Sequence, residues 1–321
     1  MSTHPFTSRK PKAAFVYLRK ALVFTCSLSL AVSSAACSLL GLESEEDDDT
    51  LLFSALAIAA LSANTCSGTA ATTTTTINLN SAALGSDGCV SGVTTSIASG
   101  LPSWIRNNFK CQVAYTAGTN YCFQTTNLPN NGSMYYPASS ALNAAVPGGR
   151  SKNPNNIATQ ALVLTIPSVA TRNTGTLTST QAGQPAVGIT ANGLAVFNNA
   201  AAPGDTLATE ATSFDAFEGH PESTGTYHHH AGVPKISNND SKIIGIALDG
   251  YPIYGLLDDN NTSSTGDDTT ATGLDSLHGH THATLDFPSG TYHYHFANDS
   301  TAGIQTLLGS FFYGVAGSAR D

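Results

Sequence analysis

Histidine is the residue type with the most chemical potential in this chain, and it is unevenly placed. Nine of the ten histidines lie between His220 and His295. Two segments hold the densest groups, Gly225-Thr-Tyr-His-His-His230 and Gly290-Thr-Tyr-His-Tyr-His295. Imidazole is the commonest protein ligand for transition metals. In an extended strand residues i and i+2 face the same side, so His228 projects with His230, and His293 with His295. Two imidazoles so disposed are spaced to share one metal ion. Tyr227 and His229 point the other way in the first segment, Tyr292 and Tyr294 in the second. Those positions suit packing, or orienting the ligands from behind.

Upstream of each segment lies a second group, Glu218-Gly-His220-Pro-Glu222 and His278-Gly-His280-Thr-His282. Every alternate position in both is a potential ligand. His220 and His280 are the natural third members, giving His220, His228 and His230 in one set and His280, His293 and His295 in the other. Asp215, Glu218, Tyr227, His278, His282 and Tyr292 are auxiliary candidates. Three neutral nitrogens with an open fourth position suit Zn(II) or Cu(II) and leave room for water or substrate. Two other readings stand beside the metal. One is a buried Tyr/His ladder bonded to backbone and to Asp215 or Asp275, and the other is a proton-exchanging polar site.

These segments close two copies of one longer unit. Val187-Gly-Ile-Thr-Ala-Asn-Gly-Leu-Ala-Val-Phe197 reads against Ile244-Gly-Ile-Ala-Leu-Asp-Gly-Tyr-Pro-Ile-Tyr254 at an offset of 57. Asp215-Ala-Phe-Glu-Gly-His-Pro221 reads against Asp275-Ser-Leu-His-Gly-His-Thr281 at 60, and the Tyr-His segments at 65. An offset that grows only through loop insertions indicates duplication, over about 186–230 and 243–295. The copies converge on two sites or on two halves of one. Asn192-Gly193 and Asp249-Gly250 occupy the same place in each, and such dipeptides supply the positive φ of a tight hairpin turn.

The elements that must carry these residues are strands. Short apolar runs bounded by Gly, Pro and Asn recur at 161–166, 187–197, 243–248 and 290–296, while long amphipathic helical patterns are missing after Ala63. The expected fold is mostly β: duplicated β-hairpin units in a sandwich or barrel-like double sheet, with few short helices. Asp258 to Asp268 is a polar excursion. It lacks the glycine and terminal glutamate of a calcium loop at the required places and reads as solvated.

The chain opens with five basic residues in its first 20 and no acid, then an apolar stretch over 21–36 and small residues before Cys37. This pattern predicts a signal peptide over 1–36 and lipid attachment at Cys37, although Ser34 stands where a lipobox usually has Leu. An exported lipoprotein of the cell envelope, at the outer membrane or cell surface, follows. Residues 37–76 read as a tether with an acidic block at 43–49 and a threonine-rich linker, and residues 77–321 as the folded domain. Beyond residue 37 there are 22 acids against eight basic residues, with no basic cluster, which excludes nucleic acid as an expected partner. Leu51 to Ala63 is too short to span a bilayer. Cys66, Cys89, Cys111 and Cys122 form an even set in an exported protein and predict two disulfides. The expected pairing is Cys111 with Cys122 across a hairpin, leaving Cys66 with Cys89. The set lacks the Cys-x-x-Cys pair of a zinc site.

The ordered blocks resemble the YHYH domain family. The resemblance runs over about Cys111 to Gly314 and rests on residues 192–198, 215–221, 226–230, 245–255, 279–282 and 290–295. His229 is a departure, because the family's first motif usually has tyrosine there. The family implies the domain and no particular reaction. Function therefore rests on the histidines: a metal-binding envelope protein handling Cu or Zn, whose partners are the ion and the membrane. A metal-dependent hydrolase or copper oxidase, with Glu218 or Asp215 as general base, is a further possibility. An adhesion or carbohydrate-binding module with a structural Tyr/His core is another. No nucleophile elbow, His-Glu-x-x-His or phosphate loop is present.

Overall fold

The computed structural model describes Cys66 and residues 77–232, 241–300 and 302–321. The expected signal peptide, Cys37, the acidic block and all of the expected tether except Cys66 lie outside the described residues. Short apolar runs interrupted by turn dipeptides leave the chain mostly β, as expected. Its only α-helices among the described residues are α1 (Ser103–Asn108) and α2 (Leu207–Glu210).

One sheet has five strands in the order β1-β2-β3-β4-β17: β1 (Ser96–Ile97), β2 (Val113–Ala117), β3 (Asn120–Thr125), β4 (Leu162–Pro167) and β17 (Ser318–Arg320). The other has eight. Its first half comprises β5 (Gly188–Thr190), β6 (Ala195–Val196), β7 (Gly219–Pro221) and β8 (Tyr227–His229). Its second half comprises β9 (Ile243–Ala247), β10 (Pro252–Tyr254), β13 (Gly279–His282) and β14 (Thr291–His295). The order β13-β14-β10-β9-β5-β6-β8-β7 is the duplication made visible. In each half a hairpin pairs with a parallel Tyr-His strand, β6 with β8 and β10 with β14, and that strand pairs antiparallel with the Gly-His strand. Two small ribbons complete the fold: β11 (Leu257–Asp258) with β12 (Thr269–Thr270), and β15 (Ala297–Asp299) with β16 (Ile304–Thr306).

The halves meet where β5 runs antiparallel to β9. Glycine is required at this seam. A Cβ on Gly188 would lie 2.7 Å from the Ile246 carbonyl oxygen, and one on Gly245 would lie 2.7 Å from that of Ile189. The hairpin turns also match, with Gly193 at φ 82° and Gly250 at φ 88°.

The two sheets share one core. Phe123, Leu164 and Ile166 of the first pack with Ile189, Ile246 and Ile253 of the second, and burial of each such side chain stabilises by about 1.5–3 kcal/mol. Helix α1 closes one side of this core with Trp104 and Ile105, and the Trp104 ring lies 5.6 Å from that of Phe287.

The disulfides are Cys66–Cys122 and Cys89–Cys111, which overturns the pairing expected from the hairpin. The β2–β3 register explains why. Val113 pairs with Gln124 and Tyr115 with Cys122, so continuing that register puts Thr126, not Cys122, opposite Cys111. Four strand residues separate those positions, roughly 13 Å, well beyond the reach of a disulfide. Cys122, at the middle of its strand, is instead bonded to Cys66, so the covalent frame reaches upstream of residue 77.

Candidate metal centre

The first histidine set is built by β7 and β8. Their register puts His220 directly opposite His228, and His230 follows two residues on. One donor atom from each of these three lies within 4.8 Å of the others. His228 Nε2 and His230 Nε2 are 3.1 Å apart. The partners of the other ring nitrogens fix the tautomers. His228 Nδ1 faces the Thr226 carbonyl at 2.9 Å and His230 Nδ1 faces that of Asn198 at 2.5 Å. A carbonyl only accepts, so both Nδ1 atoms carry the proton and donate. His220 Nδ1 faces Ser213 Oγ at 2.7 Å and the Asn153 amide nitrogen at 3.5 Å. The Nε2 of His228 and that of His230 are therefore lone pairs when their rings are neutral, and all three rings are held neutral. Burial pushes His220 down to about 3 and His230 to about 4, and takes His228 well below its ordinary value. Two lone pairs facing each other at 3.1 Å repel unless a cation lies between them.

The second set repeats this plan. His280 on β13 is opposite His293 on β14, and their Nε2 atoms are 3.2 Å apart. His280, His293 and His295 present Nδ1 to the carbonyls of Thr272, Thr291 and Gly255 at 3.0, 3.0 and 2.8 Å. Asn198 and Gly255 are equivalent in the repeat, as are Thr226 and Thr291. A carboxylate joins this set: Asp258 Oδ1 lies 3.2, 3.8 and 3.2 Å from the Nε2 atoms of His280, His293 and His295. Burial raises the Asp258 carboxyl, but hydrogen bonds from the three imidazoles, which their Nε2 atoms donate only when the rings are protonated, outweigh it and hold the group far below the usual range. Hydrogen bonding to Asp258 raises His280, while burial lowers His293. Metal–nitrogen bonds of about 2.0–2.1 Å give a tetrahedron with edges of roughly 3.3–3.4 Å, and the donor separations here bracket that value.

The flanking candidates take other places. Asp215 and Asp275 each accept a bond from a backbone N–H two residues on, Phe217 and Leu277, both at 2.8 Å. Tyr227 Oη donates to Asp215 at 2.8 Å, and Tyr292 Oη to Asp275 at 3.1 Å. These pairs hold the turns that deliver His220 and His280. Glu218 and His278 sit in those turns at φ 59° and 72°, so the alternation expected on one strand face breaks there. Arg150 donates to Glu218 at 2.8 Å, and His278 Nε2 lies 3.4 Å from Asp299. Neither joins a histidine set. His282 stands at the rim, with Nδ1 4.0 Å from Asp258 and its side chain 40 % exposed. His229 faces away from the first set, its Nδ1 3.1 Å from the Glu218 carbonyl.

Two carboxylates were missed in the sequence. Asp258 was absorbed into the polar excursion, where its i+3 spacing from Gly255 gave no strand or motif signal. Glu210 lies at the end of α2, just upstream of the Asp215 block, where nothing in its spacing marks it as a partner of the histidines. Its Oε2 is 3.7 Å from His230 Nε2 and 3.9 Å from His220 Nε2, and burial raises its carboxyl. It borders a cleft of about 760 Å³ onto which His220, His228 and His230 open.

The family model described as YHYH protein matches residues 163–272. The YHYH match spans the first copy and the hairpin of the second, and it ends short of His280. The second histidine set is therefore tied to the first by the repeat geometry. No curated protein and no solved structure matches the chain.

Proposed function

We propose that this domain binds two transition-metal ions, Cu or Zn, at two unequal sites. The reading is carried by one observation: the Nδ1 atoms of His228 and His230 are bonded to carbonyl oxygens that take their protons, which leaves their Nε2 lone pairs converging at 3.1 Å on rings too buried to protonate. Asp258, His280, His293 and His295 form a closed site with four protein ligands, the pattern of a site that stabilises the fold. His220, His228 and His230 form an open one, with a fourth position toward the cleft. Glu218 and Asp215 are engaged elsewhere, so neither is the base of any chemistry there.

We place the domain outside the cytoplasm, anchored at the cell envelope through a lipid on Cys37. The basic leader and the small residues before Cys37 support this, and two disulfides fit an oxidising compartment. Among the described residues no helix is long and apolar enough to cross a membrane. Elemental analysis of untagged protein tests the metal reading: two equivalents of Cu or Zn are expected, and one in His230→Ala. Protein without metal after incubation with either ion would leave the Tyr/His core as a structural device. Cys37→Ala should release the protein from membranes, and unchanged partitioning would refute the anchor.

A further inference from the structure

The two sites differ at one position, and the difference opens a path to substrate. In the second copy Asp258, three residues after Gly255, supplies the fourth donor. Three residues after Asn198, the equivalent carbonyl in the first copy, stands Ala201, which lines the cleft. Where one copy closes its site with a carboxylate, the other leaves space. Glu210 reaches that space from across the cleft. Its Oε1 accepts the Ala202 N–H at 2.8 Å, which aims Oε2 toward the set. Glu210 Oε2 stands 3.7 and 3.9 Å from the Nε2 atoms of His230 and His220, within reach of a molecule bound beside them.

We propose that the first site hydrolyses neutral acyl esters carried on a hydroxyl-rich molecule such as an acylated carbohydrate. The proposal rests on metal occupancy of that site, as argued above. The cleft disfavours anions, because Asp205, Glu210 and Glu222 line it and, among the described residues, no Lys or Arg does. The amides of Asn153 and Asn198 are engaged with backbone, while the Gln184 side chain and the small apolar wall of Ala186 and Val187 suit a sugar hydroxyl and a short acyl group. With a metal held by His220, His228 and His230 to polarise it, a water beside Glu210 would give that carboxylate a proton as its oxygen bonds to the acyl carbon. The bond from that carbon to the alcohol oxygen then breaks, and Glu210 returns the proton to the departing alkoxide. The products are the alcohol and a carboxylic acid, which ionises in solution, and no oxidant or reductant is needed.

The test uses zinc-loaded full-length protein with metal content measured, 4-nitrophenyl acetate and peracetylated xylobiose as probes, and two variants. Glu210→Gln should lower kcat at least about 100-fold, the scale of a general base, with zinc content and thermal midpoint unchanged. Ala201→Asp should supply the missing fourth donor, retain zinc and abolish turnover. If both sites bind zinc but the wild type is no faster than chelator-treated protein, or either variant turns over at the wild-type rate, the inference fails and the metal reading stands. If neither site binds metal, the metal reading itself falls and takes this one with it.

Discussion

Metal-free protein should lose stability on mild acidification, and His229 provides a clean measure of why. This ring belongs to neither histidine set, donates through Nδ1 to the Glu218 carbonyl, and keeps Nε2 buried without a hydrogen-bond partner among the described residues. Burial depresses its pKa to about 4 from an ordinary 6.5. Between those values the unfolded chain binds the proton and the folded chain does not. Stability therefore rises with pH through that window and is lost as pH falls from 6.5 toward 4. At 1.36 kcal/mol per unit, the full loss is about 3 kcal/mol, of which about 2 kcal/mol is reached between pH 7 and pH 5. His220, His228 and His230, all depressed by burial, add to the fall in the same direction. His229→Gln removes one share, because glutamine stays neutral throughout. Its loss between pH 7 and pH 5 should be smaller by about 2 kcal/mol, or roughly 4–8 °C in Tm for a domain of this size. Thermal melts at the two pH values, in chelator, read this directly. Equal pH dependence in wild type and variant, or greater stability at pH 5, would refute the buried-neutral assignment.

Three other outcomes are expected. His230→Ala should remove metal from the first site while His229→Ala leaves the stoichiometry intact, and isothermal titration with Cu(II) and Zn(II) distinguishes them; equal losses would mean general histidine stickiness. Asp258→Asn should weaken the second site by at least about 100-fold, above the range for an outer partner of a ligand, with the first site unchanged in chelator competition. Peptide mapping without reduction should recover Cys66–Cys122 and Cys89–Cys111. Loss of the former, with a sequence separation of 56, should cost about 4 kcal/mol on the chain-entropy model.

The duplication, the hairpin turns and the mostly β fold were legible because each has a local signature: matched blocks, Asn-Gly and Asp-Gly, apolar runs between breakers. The i, i+2 rule was enough to separate His229 from His228 and His230. It failed at Glu218 and His278, where a positive φ breaks the strand, and no residue type there announces it. Asp258 and Glu210 escaped because their positions depend on how a ribbon and a short helix fold back over the sheet, which is tertiary information. The disulfides escaped for a related reason: a hairpin's end points show that it closes, but the register decides which residues face each other, and a shift of four positions separates Cys111 from Cys122.

The contrast between the copies also bears on what was kept after duplication. The carbonyls that fix the tautomers of His228, His230, His293 and His295 occupy equivalent positions, as do the Asp–Tyr pairs behind His220 and His280. These parts present lone pairs, and both copies need them for any metal. The carboxylates differ in origin, Asp258 from the strand beside the set and Glu210 from a helix across a cleft. In the second copy Asp258 stands at the focus of three imidazoles, and a buried carboxylate is costly unless a cation, a metal ion or a protonated His280, offsets it. A first copy serving only as packing would have no reason to leave a cleft of about 760 Å³ over its histidines. The proposed division of labour accounts for both: on that reading one site would hold its half of the sheet together, and the other would be left open to bind what enters the cleft.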